Sequence, residues 1–166
     1  MIRRYVLSVL VKNTSGVLAK VIGLFSRRGY NIRSLSVGET EDAKISRITI
    51  ELVGDDGELE QIKKQLRKLI DVVKVKAIRS KSSVYKELLL VKVSADSKKR
   101  AEIIELCDIF RTKIVDVHSK ALIIEMSGSP EKNEALIDLL AEYGIMEMSR
   151  TGITALERGD NTIHDD

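Results

Sequence analysis

The run Asn13-Thr14-Ser15-Gly16-Val17-Leu18 stands where this chain changes from one kind of sequence to another. Before it, Tyr5 to Val11 is mostly β-branched or aliphatic; after it, Leu18, Val21, Ile22 and Phe25 repeat with a helical period. A strand therefore passes into a helix at these residues. The first N–H groups of a helix have no internal acceptors and lie at the positive end of its dipole, so a carboxylate can dock on them. Gly16 would let such a group come close. Asn13 can act as the helix cap or as a side-chain contact to the ligand, and the same residues also suit an ordinary capped helix. A second polar residue, Asn31 in Gly29-Tyr30-Asn31-Ile32, stands between a helix stop and a strand, where asparagine is also common for its own turn geometry.

Residues suited to covalent or acid–base catalysis are few. Cys107 falls within an apolar helical stripe and reads as a buried thiol. His118 sits at a hairpin turn and His164 near the end of the chain, without metal-ligand spacing between them. No Walker loop, G-x-G-x-x-G, G-x-S-x-G or paired-cysteine zinc motif is present. The chain reads as non-catalytic, with no metal or cofactor of its own.

The elements that position these residues occur twice over. The helix after Gly16 spans Val17 to Arg28 and closes at Gly29. Ile32 to Gly38 and Ile45 to Val53 read as a hairpin, in which Ile48, Ile50 and Leu52 alternate with Arg47, Thr49 and Glu51. Leu59, Ile62, Leu66 and Leu69 mark a second helix, and Val72 to Ile78 a further strand. After the polar Ser80-Lys81-Ser82-Ser83 the order returns: strand Leu88–Val93, helix stripe Ile103, Leu106, Cys107 and Phe110, hairpin strands Ile114–Val117 and Leu122–Met126, a helix after Pro130, and strand Ile145–Met148. Both halves spell β-α-β-β-α-β, the ferredoxin-like arrangement of an α+β fold with an antiparallel sheet and both helices on one face. The expected domains are 1–79 and 87–156, with a linker at 80–86 and a mobile tail at 157–166 that has nothing to bury. The other face of each sheet is expected to be uncovered and Tyr5 to Val11 to form an edge strand, which together invite a homodimer.

Composition narrows the partners. In 166 residues, 28 basic against 25 acidic side chains leave a net charge of +3, too little to hold a phosphate backbone. Nucleic acid is not implied. An RNA-recognition module would carry stacking aromatics on its strands, yet the two phenylalanines, Phe25 and Phe110, fall on helices. A DNA regulator would need a helix-turn-helix and a basic recognition face, and neither is visible. The amino terminus leads straight into strand-like sequence, and no apolar run approaches membrane-spanning length. With one cysteine and hence no internal disulfide, the chain is expected in the cytoplasm, with no membrane partner.

Asn13-x-x-Gly16-Val17-Leu18 and Gly29-Tyr30-Asn31-Ile32, at this separation, resemble the amino-terminal ACT domain of the acetolactate synthase (acetohydroxyacid synthase) small regulatory subunits. The resemblance continues through Val21-Ile22-Gly23-Leu24-Phe25-Ser26-Arg27-Arg28, Ser46-Arg47-Ile48-Thr49-Ile50, Leu59-Glu60-Gln61-Ile62, Leu90-Val91-Lys92-Val93, Ile109-Phe110-Arg111, Ile114-Val115-Asp116-Val117 and Arg150-Thr151-Gly152, weakening only in the tail. It implies a non-catalytic partner of a separate acetolactate synthase catalytic subunit, raising its activity and conferring feedback inhibition by valine, with leucine and isoleucine left open. Thiamine diphosphate, Mg and FAD would belong to that catalytic subunit. It further implies an effector held between two copies, with Asn13, Gly16, Val17 and Leu18 of one facing Asn31 and Ile32 of the other. In the second unit the corresponding turn, Ala95-Asp96-Ser97-Lys98-Lys99-Arg100, has no glycine, and its aspartate would repel a carboxylate. That unit is expected not to bind effector in the same way. The amino-terminal motifs alone would also permit a stand-alone ACT-type sensor of another amino-acid enzyme, whereas the carboxyl-terminal landmarks argue against one.

Overall fold

A computed structural model describes residues 1–165. The chain divides into two compact units, Met1–Val84 together with the residues from Gly152 onward, and Tyr85–Thr151.

In the first unit β1 (Arg3–Lys12), α1 (Val17–Arg28), β2 (Ile32–Glu39), β3 (Ile45–Gly54), α2 (Asp56–Arg67) and β4 (Val72–Ile78) follow one another. The strands lie in the order β2-β3-β1-β4. β1 runs antiparallel to β3 from Arg3↔Gly54 to Lys12↔Ile45, and to β4 from Val6↔Ile78 to Val11↔Val72. Leu7 and Val9 of β1, Ile48, Ile50 and Leu52 of β3 and Val75 of β4 face Val21 and Phe25 of α1 and Ile62 and Leu66 of α2 in one core. Phe25, 1% exposed, meets Tyr30 edge-on with ring centroids 6.3 Å apart. α2 starts in a reciprocal cap: the Asp55 carboxylate accepts from the Glu58 amide, and the Glu58 carboxylate from the Asp55 amide. α1 stops at Gly29, whose φ of 69° a Cβ would disfavour.

The second unit repeats the plan with β5 (Ser83–Ser94), which begins in the first unit, α3 (Arg100–Phe110), β6 (Lys113–Val117), β7 (Ala121–Gly128), α4 (Pro130–Leu140) and β8 (Ile145–Arg150). Its strand order, β6-β7-β5-β8, matches that of the first sheet. Leu89, Val91 and Val93 of β5 and Leu122 and Ile124 of β7 meet Ile103 and Cys107 of α3 and Leu136 and Leu140 of α4. The buried environment of Cys107 raises its thiol pKa, as befits a packing residue. A short strand, β9 (Thr154–Glu157), pairs with β5. Among the described residues no helix is long and apolar enough to cross a membrane.

The structure differs from the sequence reading at four points. β1 is a central strand and not an edge, flanked by β3 and β4. Its six consecutive buried residues, Val6 to Val11, are what burial on both faces produces. Residues 80–86, read as a linker, form a 3-10 turn at Ser80–Ser82 and then continue as β5 from Ser83, itself 4% exposed. Beyond Leu156 there is something to bury: Ile163 is 5% exposed, and Lys76 donates to the Thr162 and Asp165 carbonyls, each at 2.9 Å. Finally, the first sheet's face opposite the helices is covered. Ser36 of β2 donates to the Ile153 carbonyl at 3.0 Å, and Lys76 of β4 pairs with Glu157 at 2.8 Å, so the segment after Gly152 crosses that face. In the second unit, by contrast, Leu88 and Leu90 on that face stay 36% and 38% exposed.

Gly152 opens the crossing segment with φ of +82°, and a Cβ there would stand 3.0 Å from the Ser34 Cβ. Gly152→Ala is expected to destabilise the chain by about 1–2 kcal/mol from the left-handed backbone alone. Urea denaturation measures it, and an unchanged midpoint would contradict the account.

Candidate functional site

The turn between β1 and α1 is built as a platform. Asn13 donates its backbone N–H to Lys44 O at 2.8 Å, and its side-chain amide donates to Ala43 O at 2.9 Å and Glu39 Oε1 at 3.0 Å. These bonds tie the turn to the β2–β3 hairpin. The side-chain N–H groups of Asn13 are thus engaged, and the residue at the cap position is Gly16, with φ 84° and ψ −8°. No atom lies within 4 Å of where a Cβ at Gly16 would stand, so the approach to the helix start is open.

Val17 and Leu18 divide their work. Val17 is 3% exposed and turns its side chain into the core, while its amide makes a long bond of 3.4 Å to Thr14 O. It can offer a ligand only backbone. Leu18, 41% exposed, borders the open approach. The amides of Leu18 and Ala19, in the first helical turn, have no intrahelical acceptor. No side chain caps this start, and no acidic residue lies in its first turn.

The other three helices begin differently. Asp55 and Glu58 close the start of α2, and the Ser129 side chain accepts from the Lys132 amide at α4. Before α3, Asp96 Oδ1 accepts from the amides of Lys98 and Lys99, both at 2.9 Å. Among the described α-helices, α1 therefore starts with no side chain capping it and none accepting, as before α3, from the amides of the turn that leads into it. In the second unit the aspartate expected to repel a carboxylate holds the amides of the turn just before α3. The Lys99 and Lys98 amides pull the Asp96 pKa below the ordinary aspartate value. A folded-state pKa lowered in this way adds stability above the unfolded pKa of about 3.9, and that stability is lost as pH falls through the folded value. Melting temperatures across the acidic range should therefore fall less steeply for Asp96→Asn, which still caps but does not titrate.

Asn31 and Ile32 lie elsewhere in the same chain. Asn31 is exposed just before β2, and Ile32, half-buried, opens β2 opposite Leu52, which in turn pairs with Tyr5. The β1–α1 turn follows Lys12. Seven residues of β1 separate the two levels, about 23 Å at the rise of a strand. One chain thus does not bring Asn31 and Ile32 to Gly16. Glu39 and Ala43, which hold Asn13, were not singled out from sequence, because only the hairpin's register against β1 brings them there.

Residues 7–74, the βαββαβ unit whose first helix opens at Gly16, match the family model described as the AHAS small subunit-like ACT domain, which places this unit in the ACT class. Residues 86–159 match the model described as the small subunit of acetolactate synthase. A relative from Mycolicibacterium smegmatis, described as an acetolactate synthase small subunit, is 50% identical over 159 residues, covering 96% of this chain and 94% of its own. One from Haemophilus influenzae with the same description is 47% identical, covering 96% and 99%. The crystal structure of the acetolactate synthase small subunit from Thermotoga maritima superposes with a TM-score of 0.88 at 45% identity, covering 96% of this chain and 99% of that one. The chain belongs to the acetolactate synthase small-subunit family, and its two antiparallel units carry that family's fold.

Proposed function

We propose that this chain is the non-catalytic regulatory subunit of a thiamine-diphosphate-dependent acetolactate synthase, raising the activity of the catalytic subunit and conferring feedback inhibition by valine in the cytoplasm. The observation that carries the effector site is the start of α1, open at Gly16 and unclaimed by any side chain, within the ACT-matching unit. The match of residues 86–159 to the small-subunit model favours this function over a stand-alone amino-acid sensor.

The effector site is assembled from two copies. β2 is an edge strand, with β3 on one side only. Two-fold antiparallel pairing of β2 with its copy sets the start of one β2 beside the end of the other, and the end of β2 is level with the β1–α1 turn through Glu39↔Ser46 and Val11↔Ser46. Asn31 and Ile32 of one copy then come to the Gly16 turn of its partner. The valine carboxylate sits on the Leu18 and Ala19 amides, the ammonium meets acceptors such as Asn31 or a backbone carbonyl, and the isopropyl group lies against Leu18 and Ile32. Valine inhibits through higher affinity for the less active state of the complex.

Calorimetric titration of valine into the purified chain, with alanine and lysine as controls and light scattering on the same sample, tests this site. Saturable valine-selective binding to a dimer is expected. Equal binding of alanine, or tight binding of valine to a monomer, would contradict it.

A further inference from the structure

Along β4 the first unit has a second open feature. A cleft of about 850 Å³ borders every residue from Val72 to Ala77. Side chains of both sheet faces reach it, as happens where a cleft runs beside a strand's edge. β4 is such an edge, having β1 on one side only, and it lies at the opposite side of the sheet from β2. Basic side chains from two elements line the cleft: Lys63 and Arg67 of α2, Lys74 and Lys76 of β4, and Arg79 just beyond. Val73, 51% exposed, supplies apolar surface among them.

The acidic residues in the lining, Glu157 and Asp165, both come from the chain's own carboxyl-terminal segment, and Glu157 pairs with Lys76 at 2.8 Å. The cleft already accepts one carboxylate from extended backbone, that of Glu157 in β9. A second copy does not suit it: β4 against β4 would set lysines against lysines, and lysines on an edge strand keep like edges apart. The same charges select an acidic strand. Six residues of strand extend about 20 Å, the length of a short extended peptide.

We propose that this cleft receives an extended acidic segment of the catalytic subunit, laid along β4 as an added strand. The choice of the catalytic subunit as donor rests on the function proposed above.

The test uses the whole chain and an acetolactate synthase catalytic subunit, with binding followed by biolayer interferometry and valine binding by calorimetry. Arg67 and Arg79 are both exposed, and reversing them leaves the core intact at the cost of one long bond of 3.5 Å from Arg67 to the Val75 carbonyl. Arg67→Glu/Arg79→Glu is expected to bind the catalytic subunit at least about tenfold more weakly and with a shallower salt dependence, while Arg67→Lys/Arg79→Lys stays close to the unsubstituted chain and both bind valine normally. An alternating Glu-Val peptide of about eight residues should compete with the catalytic subunit. The same peptide N-methylated at every residue should not, because it has no N–H to donate to a strand edge. Undiminished affinity of the reversed variant, or equal competition by the N-methylated peptide or inorganic tripolyphosphate, overturns the groove while leaving the regulatory function standing. Failure of the unsubstituted chain to bind the catalytic subunit overturns both.

Discussion

Gly16→Asp is expected to abolish valine binding, and Gly16→Asn to weaken it far less. The two side chains have nearly the same shape, and the open space at Gly16 admits either. Both tolerate the left-handed backbone that Gly16 adopts at φ 84° better than other substituents do. They differ in charge. A carboxylate about 5 Å from the effector's own costs about 3 kcal/mol at an effective dielectric constant of 20, which lowers affinity more than a hundredfold. Misfolding cannot account for such a loss, because aspartate is a favourable cap and its charge suits a helix start. Calorimetry with valine, alongside melting curves for both variants, makes the comparison. Equal affinity of the aspartate and asparagine variants would sink the carboxylate's placement on α1.

Arg150→Met is expected to destabilise the second unit by about 2–3 kcal/mol. Arg150 grips Glu87 with two parallel bonds, Nε to Oε1 at 2.9 Å and Nη2 to Oε2 at 2.8 Å, and meets Glu134 through Nη1 at 2.7 Å. The fully buried Asn133 side chain donates to Glu87 Oε2 at 3.1 Å, joining α4 to β5. The Glu87 side chain is only 5% exposed, so removing the guanidinium strands a charge in the interior. Breaking a buried pair costs about 3–5 kcal/mol, and the 28% exposure of the Arg150 side chain lowers that figure through solvent screening. The double variant Arg150→Met/Glu87→Gln should recover part of the loss, because the stranded charge is gone. Urea denaturation of the three variants forms the cycle, and additive effects would show that the two residues do not interact.

Local structure was the legible part of this sequence. Helical periods at Leu18, Val21, Ile22 and Phe25 and at Leu59, Ile62 and Leu66, and strand alternation at Ile48, Ile50 and Leu52, led to the β-α-β-β-α-β order, and α1 spans Val17–Arg28 as read. Relations between distant segments were less legible. The run of β1, apolar except for Ser8, fits a central strand, yet only pairing with both β3 and β4 places it there. β9 has four residues and no β-branched pattern, and the segment around the buried Ile163 is held by Lys76, far away in sequence. At the candidate site, spacing singled out Asn13 and Gly16 but not Glu39, whose partnership with Asn13 comes from hairpin register. The Asp96 carboxylate, which its charge alone would set against a ligand's, also holds the Lys98 and Lys99 amides just before α3.

As proposed, this chain makes a separate acetolactate synthase both faster and valine-sensitive. Acetolactate formation by the purified catalytic subunit, measured with and without this chain across a valine titration, tests it most directly. Higher activity is expected on adding the chain, with inhibition by valine only when the chain is present, and loss of that inhibition with activation retained for Gly16→Asp. Unchanged activity and valine response on adding a folded chain would contradict it.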